Sequence, residues 1–323
     1  MEALRTAVVG AGNMGRNHVR ILSAMSDIEL VAVVDPDDAR ALTTAPSVVH
    51  VSSVSDLPAV DAAIVATPTQ SHAAVARELL SRGVHVLVEK PLASTADEAM
   101  ALAQEARAAG VVLGVGHVER FNAAFGLLAR VANDPLMLSF ERLSPYTPRI
   151  DDSVVMDLMV HDLDLALWIL GGYPESVQAT GACVFSDTLD IASAVLAFPE
   201  GRIATLQSSR ATQDKVRRIS ISERERFLVA DSIRQDVLIK RETTVDFSES
   251  EGPLAYRQAN IVEVPYLDRS GEPLARELRD FVQAVRERRD PLVTGEAGAA
   301  AVRLANEVEA SALATLPASA TER

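Results

Sequence analysis

The chain has little with which to build a disulfide, a membrane span or a cationic face. Cys183 is its only cysteine, so neither an intrachain disulfide nor a thiolate metal cluster can form, and a reducing cytoplasm is the expected compartment. The six histidines are scattered, and none joins Cys, Asp or Glu at ligand spacing, so no metal site is expected. Positive charge is scarce: 31 Lys and Arg stand against 45 Asp and Glu, a formal net charge of -14. A nucleic-acid backbone or an anionic membrane face would be repelled over most of such a surface. No apolar run approaches the roughly 20 residues that cross a bilayer. The opening MEALRTAVVGAGNMG is acidic at its second residue and broken at Gly10, so it lacks the apolar core of a signal peptide. Nucleic acid and membrane are thus poor partners. A small anion stays open, because a helix N-terminus or a few basic side chains in a cleft can override the global sign.

What is present is apolar content, 48% over 323 residues, enough for two cores in two domains of about 120 to 200 residues each. The expected division is 1–118 and 119–323. Residues 5–9 read as a short strand, followed at once by GAGNMG at 10–15, where Asn13 and Met14 open a helix. Gly10 suits the tight turn, Gly12 a close approach of backbone to a pyrophosphate, and Gly15 the packing of helix on strand. A second strand, 30–34, ends at Asp35. This is the place for a carboxylate that accepts the ribose hydroxyls of an adenosine. Because Pro36 and Asp37 follow it, a 2′-phosphate would meet two carboxylates, so NAD is favoured over NADP; Arg40, able to reach back, is the one opposing residue.

A further strand, 62–66, leads into Thr67, Pro68 and His72, all candidates for cofactor contact at a strand's carboxyl end, and then into a helix over 73–81. The strand 84–88 stops at Glu89-Lys90-Pro91, since an apolar strand cannot run on through a carboxylate, an ammonium and a residue without an N–H. In an open parallel sheet such an edge faces ligand. A helix capped by Ser94 or Thr95 and stopped by Gly110, and a strand 111–115 ending at Gly116-His117, complete an unbroken strand-helix alternation. The prediction is an α/β protein whose N-terminal Rossmann domain is a doubly wound parallel sheet.

From about Glu119 the character changes. Apolar runs at 138–142, 176–183, 191–198, 203–208 and 218–222 follow one another without helices, which predicts an α+β second domain with a large, mainly antiparallel open sheet. One helix, 154–170, interrupts them and closes at Gly171-Gly172. It carries Asp157, His161 and Asp164 along one stripe. Residues 217–226 read as the wet face and turn of a hairpin. Helices over 273–288 and 295–316, separated at Pro291, and a loose tail end the chain.

GAGNMG, ATPTQSH, VEKPLA and GHVERFN, in this order, resemble the Gfo/Idh/MocA family of NAD(P)-dependent sugar and cyclitol oxidoreductases. GHVERFNAAF, ERLSPYTPR and DLMVHDLD are similar in particular to members that oxidise the C3 hydroxyl of UDP-N-acetylglucosamine, with Ala123 standing where those have Pro. The resemblance implies that Lys90 sits beside the nicotinamide and the reacting hydroxyl, with Glu89 near the nicotinamide ribose. It also implies that Asp157 and His161 lie on a helix facing the nicotinamide. A homodimer or homotetramer formed through the open sheet is implied as well. On this reading Lys90 stabilises the developing alkoxide, His161 takes the hydroxyl proton and Asp157 orients the imidazole, which requires all three to reach one carbinol. Arg120, Asn122, Tyr146 and Arg149 are the further substrate candidates, the arginines because they suit a pyrophosphate. An inositol or free-sugar dehydrogenase, or a regulator that binds NAD without turnover, are the alternatives.

Overall fold

The computed structural model describes residues 2–148, 152–243 and 259–316. Its elements, in chain order, begin β1 (Leu4–Val9), α1 (Asn13–Leu22), β2 (Ile28–Val34), α2 (Asp38–Thr44), β3 (Val49–Val51) and β4 (Ala62–Val65). Next come α3 (Thr69–Ser81), β5 (His85–Glu89), α4 (Ala96–Ala109), β6 (Leu113–Gly116), α5 (Ala123–Val131) and β7 (Met137–Pro145). A π-helical turn, Val155–Met159, runs into α6 (Val160–Leu170), followed by β8 (Ser176–Ala182), β9 (Ile191–Ala197), β10 (Ile203–Ser209) and β11 (Ala211–Ser222). The last elements are β12 (Arg226–Asp231), β13 (Asp236–Thr243), β14 (Ala259–Glu263), α7 (Pro273–Glu287) and α8 (Gly295–Leu313). Two compact units result, Met1–Phe121 with Gly271–Asn306 and Asn122–Ser270 with Glu307–Arg323.

In the first unit six parallel strands lie in the order β3-β2-β1-β4-β5-β6, the doubly wound arrangement the alternating pattern predicts. Strand periodicity splits the apolar residues between two faces. Ala7, Val9, Val65, Val86 and Val88 pack with Leu79, Leu80, Leu102 and Ala106 of α3 and α4. Val8, Val33, Ile64 and Leu87 pack with Val19 and Leu22 of α1 and with Leu274, Leu278, Phe281 and Val285 of α7. Complete burial of each Leu, Val or Phe contributes about 1.5–3 kcal/mol, which is why residues 271–306 join this unit rather than the contiguous 119–323 body that composition suggested. Of the two cap candidates before α4, Thr95 is the one that accepts the Glu98 N–H.

The second unit is an eight-stranded sheet, β14-β13-β12-β11-β7-β10-β9-β8, antiparallel except between β7 and β10. The expected hairpin at 217–226 is the β11–β12 connection. Two features went unread in the sequence: α5, too short for a clear period, and the strands after residue 226. The regular helix expected from 154 starts instead with the π-helical turn. Along the stripe Asp157 and His161 are part-exposed and Asp164 is wholly buried. Among the described residues no helix is long and apolar enough to cross a membrane, and no group of three or more His, Cys, Asp or Glu could hold a metal ion.

Candidate active site

Parallel pairing brings four strand ends into one row. Val9 pairs with Val65, Val65 with Val88, and Val88 with Val115, so Gly10, Ala66, Glu89 and Gly116 share the carboxyl edge of the first unit's sheet. Gly10 takes φ +96°, and a Cβ there would come within 2.6 Å of the Ala66 carbonyl oxygen, so only glycine makes this turn. A Cβ on Gly15 would collide with the Gly10 carbonyl oxygen. The third glycine therefore seats the helix on the turn itself. A Cβ on Gly12, by contrast, would meet nothing within 4 Å. Gly12 precedes α1 without any side-chain cap, leaving the first-turn N–H groups, including those of Asn13 and Met14, to face that open space.

Asp35, 4% exposed, closes the other side. Its carboxylate accepts the Ala11 N–H at 2.8 Å and the Asp37 N–H at 2.9 Å, which ties the end of β2 to the glycine turn. Arg40 does reach back: its guanidinium lies 3.7 Å from Asp35 and 3.3 Å from Asp37. The Thr67 hydroxyl is buried and has no hydrogen-bond partner among the described residues, and a Cβ on Gly10 would approach the Thr67 amide nitrogen to 2.9 Å. An open cradle, a helix N-terminus, an orphaned hydroxyl and a ribose-type carboxylate along one edge fit a dinucleotide.

His72 is used differently from the expectation. Its Nδ1 faces the Pro91 carbonyl at 2.8 Å and its Nε2 the Thr67 carbonyl at 2.9 Å. Both ring nitrogens face backbone carbonyls, so His72 clamps the β4 and β5 exit loops. Pro68 is exposed at the start of α3. Glu89 turns inward, its Oε1 2.7 Å from Nε2 of the wholly buried His18. It rests on Gly116, where a Cβ would sit 2.9 Å from Glu89 Oε2. Lys90 follows at the edge, half-buried.

Beneath this edge lies a carboxyl group that the sequence did not mark. Glu277 of α7 is 2% exposed, and neither carboxyl oxygen has a hydrogen-bond partner among the described residues. Burial, then the charges of Glu89 and Asp280, hold its carboxyl well above the usual carboxylate range. The folded state therefore keeps a proton that the unfolded chain loses at about pH 4.3, so its contribution to stability is present below that pH and is lost as pH rises towards the folded value. Glu277→Gln should melt at or above the wild-type temperature at pH 8, with the advantage vanishing near pH 4. A difference in melting temperature that does not change with pH would refute the assignment.

In the second unit, Asp157 in the π-helical turn and His161 at the start of α6 occupy part-exposed positions. Arg210, 2% exposed, donates from Nη2 to Asp157 Oδ2 at 3.2 Å, while its Nε and Nη1 have no partner among the described residues. This cation lies 53 positions away in sequence and carried no local signal. Arg142 and Asp162, both 3% exposed, form a bidentate pair at 2.6 and 2.8 Å, which bolts α6 to β7. Tyr146, just beyond β7, pairs with Phe185.

Two of the expected substrate residues also make structural contacts. Asn122 is buried and its Oδ1 accepts from the Ala124 N–H at 3.0 Å, capping α5. Arg120, 7% exposed, donates to the Leu292 carbonyl at 3.3 Å. Arg149 lies outside the described residues. Size is no guide to the ligand site: a cleft of about 500 Å³ in the first unit opens at the other end of the sheet, around Gly110, Val112 and Arg288.

Residues 4–117 match an oxidoreductase family with an NAD-binding Rossmann fold, and residues 127–226 match the GFO/IDH/MocA C-terminal domain. The chain belongs to the Gfo/Idh/MocA oxidoreductase family. It is 33% identical over 326 residues to the UDP-N-acetylglucosamine 3-dehydrogenase of Acidithiobacillus ferrooxidans, covering 96% of this chain and 99% of that one. A solved structure of the same Acidithiobacillus enzyme superposes with a TM-score of 0.89 at 32% identity, covering 98% of this chain and all of that one. The myo-inositol 2-dehydrogenase of Thermotoga maritima is 26% identical over 93% of this chain and 94% of its own. As a family member the chain is an oxidoreductase with an NAD-binding Rossmann unit.

Proposed function

We propose that this oxidoreductase is an NAD-dependent dehydrogenase of a secondary CH–OH group on a nucleotide sugar, with C3 of UDP-N-acetylglucosamine as the first candidate. The observation that carries the reading is the carboxyl-edge row, in which the glycine turn, Asp35, the Thr67 hydroxyl and the β5 exit at Lys90 belong to one edge. The nucleotide-sugar choice rests on the Acidithiobacillus relative, similar over nearly the whole length of both chains. Bound NAD supplies the hydride acceptor. Every other task falls to the chain's own groups.

Removing hydride from a secondary alcohol requires the hydroxyl proton to leave as well, and charge develops on oxygen in the transition state. The Lys90 ammonium stabilises that oxygen, and the His161 imidazole accepts the proton. Asp157, held from behind by Arg210, keeps the ring oriented. Asp35 and the first turn of α1 hold the dinucleotide. Because Arg40 is already engaged by Asp35 and Asp37, little positive charge remains for a 2′-phosphate. The expected kinetics are a higher kcat/KM with NADH than with NADPH, and the reverse order would overturn that choice.

Self-association through the open sheet belongs to the same proposal. Met137, Ile203 and Phe227 fall in one cross-strand row, with Val195 beside it, and all four are more than a third exposed. Sedimentation should show a dimer or tetramer.

The deciding test follows nicotinamide reduction with UDP-sugars, free sugars and inositols offered in parallel. Turnover of a UDP-sugar, together with calorimetric binding of UDP, is the expected result. Turnover of inositol without UDP binding would replace the substrate and leave the dehydrogenase reading intact; no turnover with any of them would favour a regulator.

A further inference from the structure

We infer that Phe185 and Tyr146 form a nucleobase shelf, the subsite for the uracil ring of the substrate. This deepens the nucleotide-sugar reading and rests on it. The two rings stand 4.9 Å apart between centroids, tilted by 43°. Phe185 is 52% exposed and its neighbour Val184 49%, although both sit in a loop with no freedom to hide them. That loop, between β8 and β9, is wound around one buried carboxylate. Asp190, 0% exposed, accepts the N–H groups of Val184, Phe185 and Ser186 at 2.8, 2.7 and 3.1 Å and the Ser186 hydroxyl at 3.1 Å. These bonds hold the Asp190 carboxyl below its ordinary range against the opposing effect of burial. An exposed aromatic presented by a loop pinned at three successive backbone groups is preorganised, which is where stacking affinity comes from at low entropic cost.

The same loop reaches the chemistry of its own unit. The Leu189 carbonyl accepts the Val154 N–H at 2.7 Å, just before the π-helical turn that carries Asp157. The Asp190 carbonyl accepts the Arg210 N–H at 2.8 Å, and the Arg210 side chain holds Asp157. One short segment thus has an apolar shelf at its tip and, at its base, the supports of Asp157 and a buried guanidinium with two nitrogens that have no partner among the described residues. The ligand that matches is flat and apolar at one end and polar at the other, as a nucleoside diphosphate sugar is. Two rings and a valine are also far short of the roughly 800 Å² per partner that a stable protein interface buries, so a small molecule suits the shelf better than a macromolecule.

The test is calorimetry of UDP against wild type, Phe185→Ala, Phe185→Trp and Tyr146→Phe, with the circular dichroism spectrum and melting curve as the check that both units of each variant are folded. Stacking lost at one base should weaken UDP roughly 5- to 100-fold in Phe185→Ala, while the Trp and Tyr146→Phe variants, which keep their rings, stay within about threefold of wild type. Inorganic pyrophosphate, which has no base, should bind wild type and Phe185→Ala alike. If wild type binds UDP and Phe185→Ala binds it equally well, the shelf is refuted and the nucleotide-sugar reading survives. If wild type binds no UDP, both fall. Weakened UDP binding accompanied by a changed sedimentation mass would also refute the shelf, since the rings would then serve contact between copies. Should Phe185→Ala lose its folded spectrum or melting transition, Phe185→Leu takes its place under the same criteria.

Discussion

Alanine in place of Lys90 or of His161 is expected to lower kcat by about 10² or more, the range typical of a lost oxyanion stabiliser and of a lost general base. The two losses should differ in kind. Lys90 ends β5 in the first unit, on the edge that carries the cofactor cradle, so its removal is expected to raise KM along with the fall in kcat. Removing His161 deletes only a proton acceptor, and the fall should be mostly in kcat. Turnover within a few-fold of wild type in either variant would remove that residue from the proposed chemistry. Folding is not at risk, because both side chains are part-exposed and neither belongs to an apolar core.

The largest expected effect on stability lies one residue from His161. Arg142→Met should destabilise the second unit by about 3–5 kcal/mol, because it strands the buried Asp162 carboxylate without its bidentate partner. At roughly 2–4 °C per kcal/mol for a unit of this size, the melting temperature should drop by about 6 to 20 °C. The double variant Arg142→Met with Asp162→Leu should recover most of that loss, since it removes both charges together. Because the pair fixes α6 against β7, the single variant should also lower kcat, as His161 loses its anchorage, and the double variant should restore stability more fully than activity. Equal melting temperatures for the single and double variants would show that the pair carries no such weight.

The Rossmann unit was legible because its signals are local. Strand, glycine turn, helix and strand-end carboxylate occur within the first 35 residues, and Gly15 is required by the Gly10 carbonyl five positions away. Lys90 was legible for the same reason, as the point where an apolar strand meets groups it cannot bury. The second sheet could be read as consecutive strands, but its strand order, with β7 beside β10 and β11, is set by pairings that no local run encodes. Asp157 and His161 were singled out by their spacing on a helix together with the family resemblance. The π-helical turn that carries Asp157, one turn before His161 and Asp164 in α6, was not.

By itself, then, the order of residues determined what neighbouring residues can enforce: the alternation of elements, the turns only glycine can make, and the short motifs that place a carboxylate, an ammonium and an imidazole at element ends. Tertiary structure alone decided which groups would pair across long separations. His18 meets Glu89 over 71 positions, Arg210 meets Asp157 over 53, and α7 returns from residue 273 to cover β1 and β4. It also gave the Asn122 Oδ1 to a helix cap and hydrogen-bonded Arg120 and His72 to backbone carbonyls. The physical reason is that burying a polar or charged group costs several kcal/mol unless it is partnered, and the partner is chosen by the packed chain as a whole rather than by the residues on either side.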